Sequence, residues 1–409
     1  MSAPPDRAEA VRAFYESHPY PAPVESFERR LGLYRDPRRR RAQSLLLWPL
    51  EKARADRTIL VAGCGTSQAA RYALSEPDAR VTAIDISETS LRHTRDLQEK
   101  HGLKNLRLQR LAIEQVAELG ETFDQIVCTG VLHHLSDPDA GLRSLRNVLA
   151  PNGAMHIMVY APYGRAGIYM MQDYCRLLGI GVRDDELRDL GATIQSLASD
   201  HPIAGVLKRA KDFTEPDALA DALLNPQDRA YSVPELYDWL TRCGLAFGRW
   251  REQGAYLPRC GAPARTPHAA QLAALPPPMQ HAAMELVRGT MDRHSFVAYR
   301  DDRGREPQPI TFEVDAWRGF VPVRLPWTLT IKDRAPADFS AVLINPAHMY
   351  PDLALFIEAP QERALGAVDG ERSIGEILQR AAIIDEEARQ FFNRLWEYDQ
   401  IVFDAKRPP

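Results

Sequence analysis

The sequence predicts a doubly wound α/β domain followed by a small α+β module, and three observations carry that prediction. From Thr58 onward, short apolar runs alternate with helical segments, the rhythm that builds a parallel sheet through right-handed crossovers. A two-glycine turn, Gly63-Cys64-Gly65, joins the first run to the first helix. Beyond a hydrophilic stretch at 301–309 the pattern changes to two strand-like runs, then turn, helix, helix and strand.

The 409 residues are 45% hydrophobic and 26% charged, which places the chain among folded rather than disordered proteins. At roughly 150 residues per domain, two or three folded units are expected. A net charge of -4 carries no polyanion-binding signature. The five cysteines (Cys64, Cys128, Cys175, Cys243, Cys260) include no C-x-x-C pair, which argues against structural zinc and against a disulfide scaffold. No basic segment followed by an apolar stretch opens the chain, and no run of about 18 apolar residues occurs. A cytoplasmic protein with no membrane partner is the expectation.

Three regions are expected. Residues 1–55 read as a helical lid: a helix over 11–16, the non-helical His18-Pro-Tyr-Pro-Ala-Pro23, and a second helix over 38–50. The basic run at 38–41 reads as a solvated helix face. Residues 56–303 form the α/β domain, with strands at 59–62, 81–84, 106–108, 123–128 and 154–160 and helices at 68–75, 90–101 and 139–149. Residues 164–228 interrupt this rhythm as a helical insertion. Ser232 then caps a helix through 243 in a capping box with Glu235, ended by Gly244. Runs at 245–250 and 295–299 supply two closing strands, with a loop at 273–278 and a helix over 279–291 between them. Residues 304–409 form the last module, with strand-like runs at 310–314 and 321–331, a short segment at 342–344, helices and a strand at 400–403. There is no internal repeat.

The cofactor site is the most informative part. Val61-Ala-Gly-Cys-Gly-Thr-Ser-Gln68 follows the first strand and opens the first helix, and its glycines let the backbone turn sharply beside a ligand. Twenty residues past Gly65 the second strand ends in Asp85, placed to accept both ribose hydroxyls of an adenosine group. A dinucleotide fingerprint needs a third glycine where Gln68 stands, so a diphosphate fits this turn poorly.

These residues, with Phe123-Asp-Gln-Ile126, Val131-Leu-His-His-Leu135 and Leu149-Ala-Pro-Asn-Gly153, resemble the class I, Rossmann-like S-adenosylmethionine-dependent methyltransferases. The resemblance covers 58–160 and, more loosely, 11–300. It implies that Gly63, Cys64 and Gly65 face the methionine moiety and that Asp85, with Ile86, holds the ribose. It further implies that Ile113 and Glu114 flank the adenine and that Cys128, Thr129 and Gly130 lie beside the sulfonium. Many members carry an acid where Ala62 stands and a glycine where Ser67 stands, so the amino-acid end of the ligand is expected to be held differently here.

Methyl transfer from a sulfonium is an in-line displacement on an activated electrophile, so alignment and exclusion of water matter more than acid–base machinery. Acceptor-facing residues are expected after strands four and five: His133 as base, with Tyr160, Tyr163 and Arg165. The resemblance implies that His134 is the structural histidine and His133 the acceptor-facing one; the alternative is a pair of loop-supporting histidines. Quinone O-methyltransferases place carboxylates where Gly130 and His133 stand, so no metal is expected. Tyr15, His18 and Tyr20 are expected to belong either to a lid that closes over the acceptor or to a packed N-terminal arm. No Asn/Asp-Pro-Pro-Tyr/Phe tetrad is present and basic residues are not interleaved with aromatics, which disfavours nucleic acid. The expected function is methylation of a small molecule on oxygen, nitrogen or sulfur. The alternatives are a peptide acceptor docked by the C-terminal module, which looks winged-helix-like, and a cofactor-binding scaffold without catalysis. A structural or homodimer-forming role is the other reading of that module.

Overall fold

In the computed structural model the described residues are 7–406, apart from 52–53, 55, 210–212, 214, 304–309, 314, 334 and 382–383. Most of the linker expected at 301–309 therefore lies outside the described residues. The chain divides into two compact units. The first comprises residues 1–31, 55–248 and 288–303; the second comprises 32–54, 249–287 and 304–409. This corrects the expected three-part division at 55 and 303, because contacts distant in sequence, rather than local pattern, decide which unit a segment joins.

The first unit is built on a seven-stranded sheet in the order β3-β2-β1-β4-β5-β7-β6. Its strands are β1 (Thr58–Ala62), β2 (Arg80–Asp85), β3 (Leu106–Arg110), β4 (Phe123–Thr129), β5 (Leu149–Tyr160), β6 (Leu245–Trp250) and β7 (Arg293–Arg300). β1 to β5 pair in parallel and β7 runs antiparallel to β5, so the expected doubly wound α/β class is present. Ile59, Leu60, Val61 and Ala62 are all buried, as expected of a central strand covered on both faces. The topological switch lies between β1 and β4, where the chain leaves the two strands in opposite directions and opens a crevice at their carboxyl ends.

Among the described residues the segment 164–228 is helical as expected, with helices Ala166–Leu178, Asp184–Ser196, Ala204–Arg209 and Pro216–Leu223. They share a small core of their own, including Ile168, Met171, Leu190, Ile194 and Leu219. The helix Val233–Arg242 has the expected capping box, Glu235 accepting from the Ser232 amide at 2.8 Å.

The second unit holds β8 (Val321–Arg324), β9 (Leu329–Ile331), β10 (Ala341–Ile344), β11 (Leu355–Ile357) and β12 (Ile401–Asp404). These form a three-stranded sheet, β11-β10-β9, and a β12-β8 pair. The turn, helix, helix, strand order expected at the end is present as Ile374–Ala381, Asp385–Glu397 and β12. Residues 310–313 form no strand, because Phe312 is taken into the core with Trp317, Phe391 and Phe392. The long run at 321–331 is broken by the turn at Pro326-Trp327. The helix Pro37–Leu47, expected in a lid, packs Ala42, Leu45 and Leu46 on Val323, Leu325 and Val402. Among the described residues no helix is long and apolar enough to cross a membrane.

Candidate active site

β1 ends in the turn 63–65, where Gly63 has φ +68° and Gly65 φ +55°. A Cβ on Gly63 would sit 2.4 Å from a Val131 methyl carbon, so this position needs glycine for space as well as for conformation. The Gly63 and Cys64 amides donate to the Ile84 carbonyl, tying the turn to β2. Asp85 ends β2, and its two carboxylate oxygens accept from the Gly65 amide (2.8 Å) and the Ser87 amide (3.0 Å). Burial pushes its carboxyl above the usual range, an effect these backbone donors oppose.

The turn opens into a cavity of about 280 Å³ whose lining belongs entirely to the first unit. That volume is at the lower edge of the ~300–1,000 Å³ usual for ligand clefts. One part is lined by Gly63, Cys64, Gly65, Asp85, Ile86, Leu111, Ile113 and Glu114, and another by Thr129, Gly130, Val131, Met158 and Tyr160. Of the expected cofactor residues only Cys128 is absent from this lining: its side chain is fully buried within β4, and burial pushes its thiol up, away from reactivity.

Two polar residues on the first helix were not anticipated. Gln68 and Arg71 also line the cavity, three residues apart and so on one helix face. Gln68 Oε1 and Arg71 Nε are buried without a hydrogen-bond partner, although Gln68 Nε2 donates to Thr129 Oγ1 at 2.6 Å. Unpaired buried polar atoms are costly, and an amino-acid moiety carrying both ammonium and carboxylate would satisfy them. These groups carry the hydrogen-bonding chemistry that Ala62 and Ser67 lack. Their spacing after the glycine turn was the sequence signal that could have found them.

The N-terminal segment is bound to this half of the site. Glu16 accepts from the Glu88 (2.8 Å) and Thr89 (3.0 Å) amides at the start of the helix Glu88–His101, a favourable place for a carboxylate. Ser87 Oγ donates to the Tyr15 carbonyl and Thr66 Oγ1 to the Pro21 carbonyl. Tyr15, Tyr20 and Pro21 line the cavity, whereas His18 turns aside to pair with Asp217 at 3.0 Å.

At the acceptor end the two histidines exchange the places expected of them. The cavity is lined by His134, not His133. His133 is fully buried, packs against Tyr160 with ring centroids 3.9 Å apart and the planes tilted by 37°, and has neither ring nitrogen partnered. Burial holds it well below the usual imidazole range, helped by His134 and Arg165, so it is a poor base near neutrality. His134 Nδ1 lies 2.6 Å from the Gln227 carbonyl. A carbonyl only accepts, so Nδ1 carries a proton there, and Nε2 is buried and unpartnered.

Tyr160 lines the cavity as expected. Tyr163 does not, being 44% exposed. Arg165 also stays out of the lining: it lies over the Tyr160 ring at 3.4 Å and pairs with Asp228 at 3.1 Å. The helical insertion supplies one further lining residue, Asp221, which is 4% exposed. Its Oδ1 accepts from the Tyr15 hydroxyl at 2.8 Å, and burial raises its carboxyl above the usual range. His133, His134 and Asp228 each place a ligand-type atom within 4.8 Å of the others, a cluster that bears on the expectation of no metal. The Arg165 guanidinium already neutralises the Asp228 carboxylate there.

With this geometry in view, the relatives fall into place. Residues 60–155 match the family model described as methyltransferase domain. An uncharacterized protein of Synechococcus sp. is 38% identical over 208 residues, 49% of this chain and 50% of that protein. The ubiquinone biosynthesis O-methyltransferase of Idiomarina loihiensis is 32% identical over 96 residues, 23% of this chain and 39% of that enzyme. The chain thus spans half or less of the length of these curated relatives. In three dimensions it is similar to PKMT2 from Rickettsia typhi, with a TM-score of 0.64, 16% identity, and coverage of 92% of this chain and 76% of that one. The same protein in complex with AdoHcy gives a TM-score of 0.62 at 17% identity, covering 92% and 74%. Residues 60–155 thus carry a methyltransferase domain, and the fold around it is the Rossmann-like one shared with these solved structures.

Proposed function

We propose that the chain is an S-adenosylmethionine-dependent methyltransferase acting on a small-molecule oxygen, nitrogen or sulfur nucleophile. The observation that carries this reading is a single cavity joining the Gly63–Gly65 turn and Asp85 to an aromatic, polar end formed by Tyr15, Tyr20, His134 and Tyr160. When bound, the cofactor supplies a methyl group on a positively charged sulfur. Asp85 holds the ribose, Ile113 and Glu114 flank the adenine, and Gln68 and Arg71 take the amino-acid end. Tyr15 and Tyr20 exclude water, and Tyr160 with His134 orients the acceptor atom in line with the methyl. His134 Nε2 is placed to take a proton from that acceptor.

A peptide acceptor is the second reading, favoured by the turn, helix, helix, strand order of the second unit. The test is calorimetry of the full chain with S-adenosylhomocysteine and with NAD, followed by transfer of an isotopically labelled methyl group to an acceptor panel. S-adenosylhomocysteine should bind at low-micromolar or tighter affinity and NAD should not. Equal binding of NAD would sink the cofactor reading. Tight binding without labelled product over a broad panel would favour a scaffold.

A further inference from the structure

We propose that the acceptor is an aliphatic amine, recognised in its ammonium form by Asp221 in the wall of the transfer site; the inference rests on the methyltransferase reading above. Asp221 is buried, stands on the helix Pro216–Leu223 of the insertion, and lines the cavity beside Tyr15, His134 and Tyr160. Its Oδ1 is occupied by the Tyr15 hydroxyl, itself held by Asn225 Nδ2 at 3.0 Å. Among the described residues no lysine, arginine or histidine forms an ion pair with it. Arg165 and His134 are near enough to favour its ionised form, yet neither pairs with it, and Arg165 is engaged by Asp228 and by the face of Tyr160. A buried carboxylate without a counter-ion is unfavourable unless a ligand supplies the charge.

The sign of that charge selects among nucleophiles. An alcohol, phenol or thiol gains nucleophilicity by becoming an anion, and a fixed carboxylate beside it opposes that ionisation. An amine arrives as a cation, gains hydrogen bonds to the carboxylate and cation–π contact with tyrosine rings, and attacks as a neutral species. The ammonium first loses one proton to His134 or to Asp221 and thence to water. The nitrogen lone pair then forms the bond to the methyl carbon, while the carbon–sulfur pair stays on sulfur as a neutral thioether. Atoms and charge balance without any further reactant.

The test uses the full chain saturated with S-adenosylhomocysteine and, as probes, n-butylamine and 1-butanol, with binding followed by ligand-observed NMR at neutral pH. Butylammonium should bind at least tenfold more tightly than butanol, and Asp221→Asn should erase most of that preference while changing S-adenosylhomocysteine affinity less than threefold. Equal binding of the two probes to the unmodified chain overturns the inference, and needs no variant to be read. So does a tenfold loss of S-adenosylhomocysteine affinity in Asp221→Asn, since the carboxylate would then serve the cofactor's own ammonium. Failure of the unmodified chain to bind S-adenosylhomocysteine would instead sink the methyltransferase reading itself.

Discussion

The Tyr15 hydroxyl donates to Asp221 Oδ1 at 2.8 Å, across 206 residues of sequence. The N-terminal helix and the helical insertion are thereby joined over the cavity that both line. Neither group is at ease alone: burial disfavours the charged form of each, Asp221 raises the proton affinity of the Tyr15 hydroxyl, and the Tyr15 hydrogen bond opposes the effect of burial on Asp221. The pair is therefore the latch of the acceptor end.

Tyr15→Phe should test the latch. It removes the donor to Asp221 and the acceptor of Asn225 Nδ2 while keeping the ring. A loss of about 1–3 kcal/mol is expected for leaving these buried partners unmatched. Differential scanning calorimetry should show a lower melting temperature, with S-adenosylhomocysteine affinity nearly unchanged. An unaltered melting temperature would mean that water replaces the hydroxyl.

Asp85→Ala should weaken S-adenosylhomocysteine binding by about 1.5–3 kcal/mol, measured by calorimetry. The sequence alone places Asp85 at a strand end, where its loss would spare the fold. In the structure its carboxylate also receives the Gly65 and Ser87 amides, so the variant should melt earlier as well. Unchanged affinity in a folded variant would remove Asp85 from the ribose.

Metal removal should leave cofactor binding intact. The cluster of His133, His134 and Asp228 has its carboxylate balanced by Arg165 at 3.1 Å, and a second cation there would meet that guanidinium. Elemental analysis of the purified chain should find no stoichiometric metal, and dialysis against a chelator should not alter S-adenosylhomocysteine affinity. One equivalent of a divalent metal, lost together with binding, would assign the cluster instead.

The pH dependence of stability should carry a His281 signature. Burial lowers its imidazole from the model-peptide value of 6.5 to about 4, within a pocket that includes Trp250 and Tyr256. The unfolded chain therefore binds the proton first as pH falls. Stability is fully present above about pH 6.5 and is lost as pH drops toward 4, by up to about 3 kcal/mol from this one group. His281→Phe should flatten that interval in a series of urea melts, and a parallel pH slope in both proteins would refute the assignment.

What the sequence disclosed and what it hid follow one physical line. Gly63, Gly65 and Asp85 were legible because a glycine turn, a helix start and a strand end are local requirements of one compact unit. His133 and His134 were exchanged because they lie in a single 3₁₀ turn, Leu132–His134, where successive side chains diverge by about 120° and the motif does not say which faces the cavity. Asp221 was invisible for another reason. Periodicity marks its segment as helical, yet only tertiary packing decides that this acid, rather than Asp217 one turn earlier, meets Tyr15. The assignment of the helix Pro37–Leu47 failed in the same way, since its apolar face is matched by strands about 280 and about 360 residues away.

That helix makes truncation informative. A chain ending near residue 303 keeps every lining residue of the cavity, since these run from Val11 to Asp221. The sequence alone therefore suggests a cut that spares cofactor binding. The structure adds a cost. The cut removes Val323, Leu325 and Val402, leaving Ala42, Leu45 and Leu46 bare, and it strips the 249–287 segment of the unit it belongs to. Burying a leucine-sized side chain is worth about 1.5–3 kcal/mol, so three apolar residues exposed together on one helix favour aggregation. The truncated chain should accordingly be poorly soluble, or melt well below the full chain. Val402→Asp in the full chain should reproduce the loss in part, because it buries a charge in the same cluster. If instead the truncated chain stays monomeric, melts at the full-chain temperature and binds S-adenosylhomocysteine equally well, the helix Pro37–Leu47 contributes nothing to a shared core, and the two-unit division is wrong.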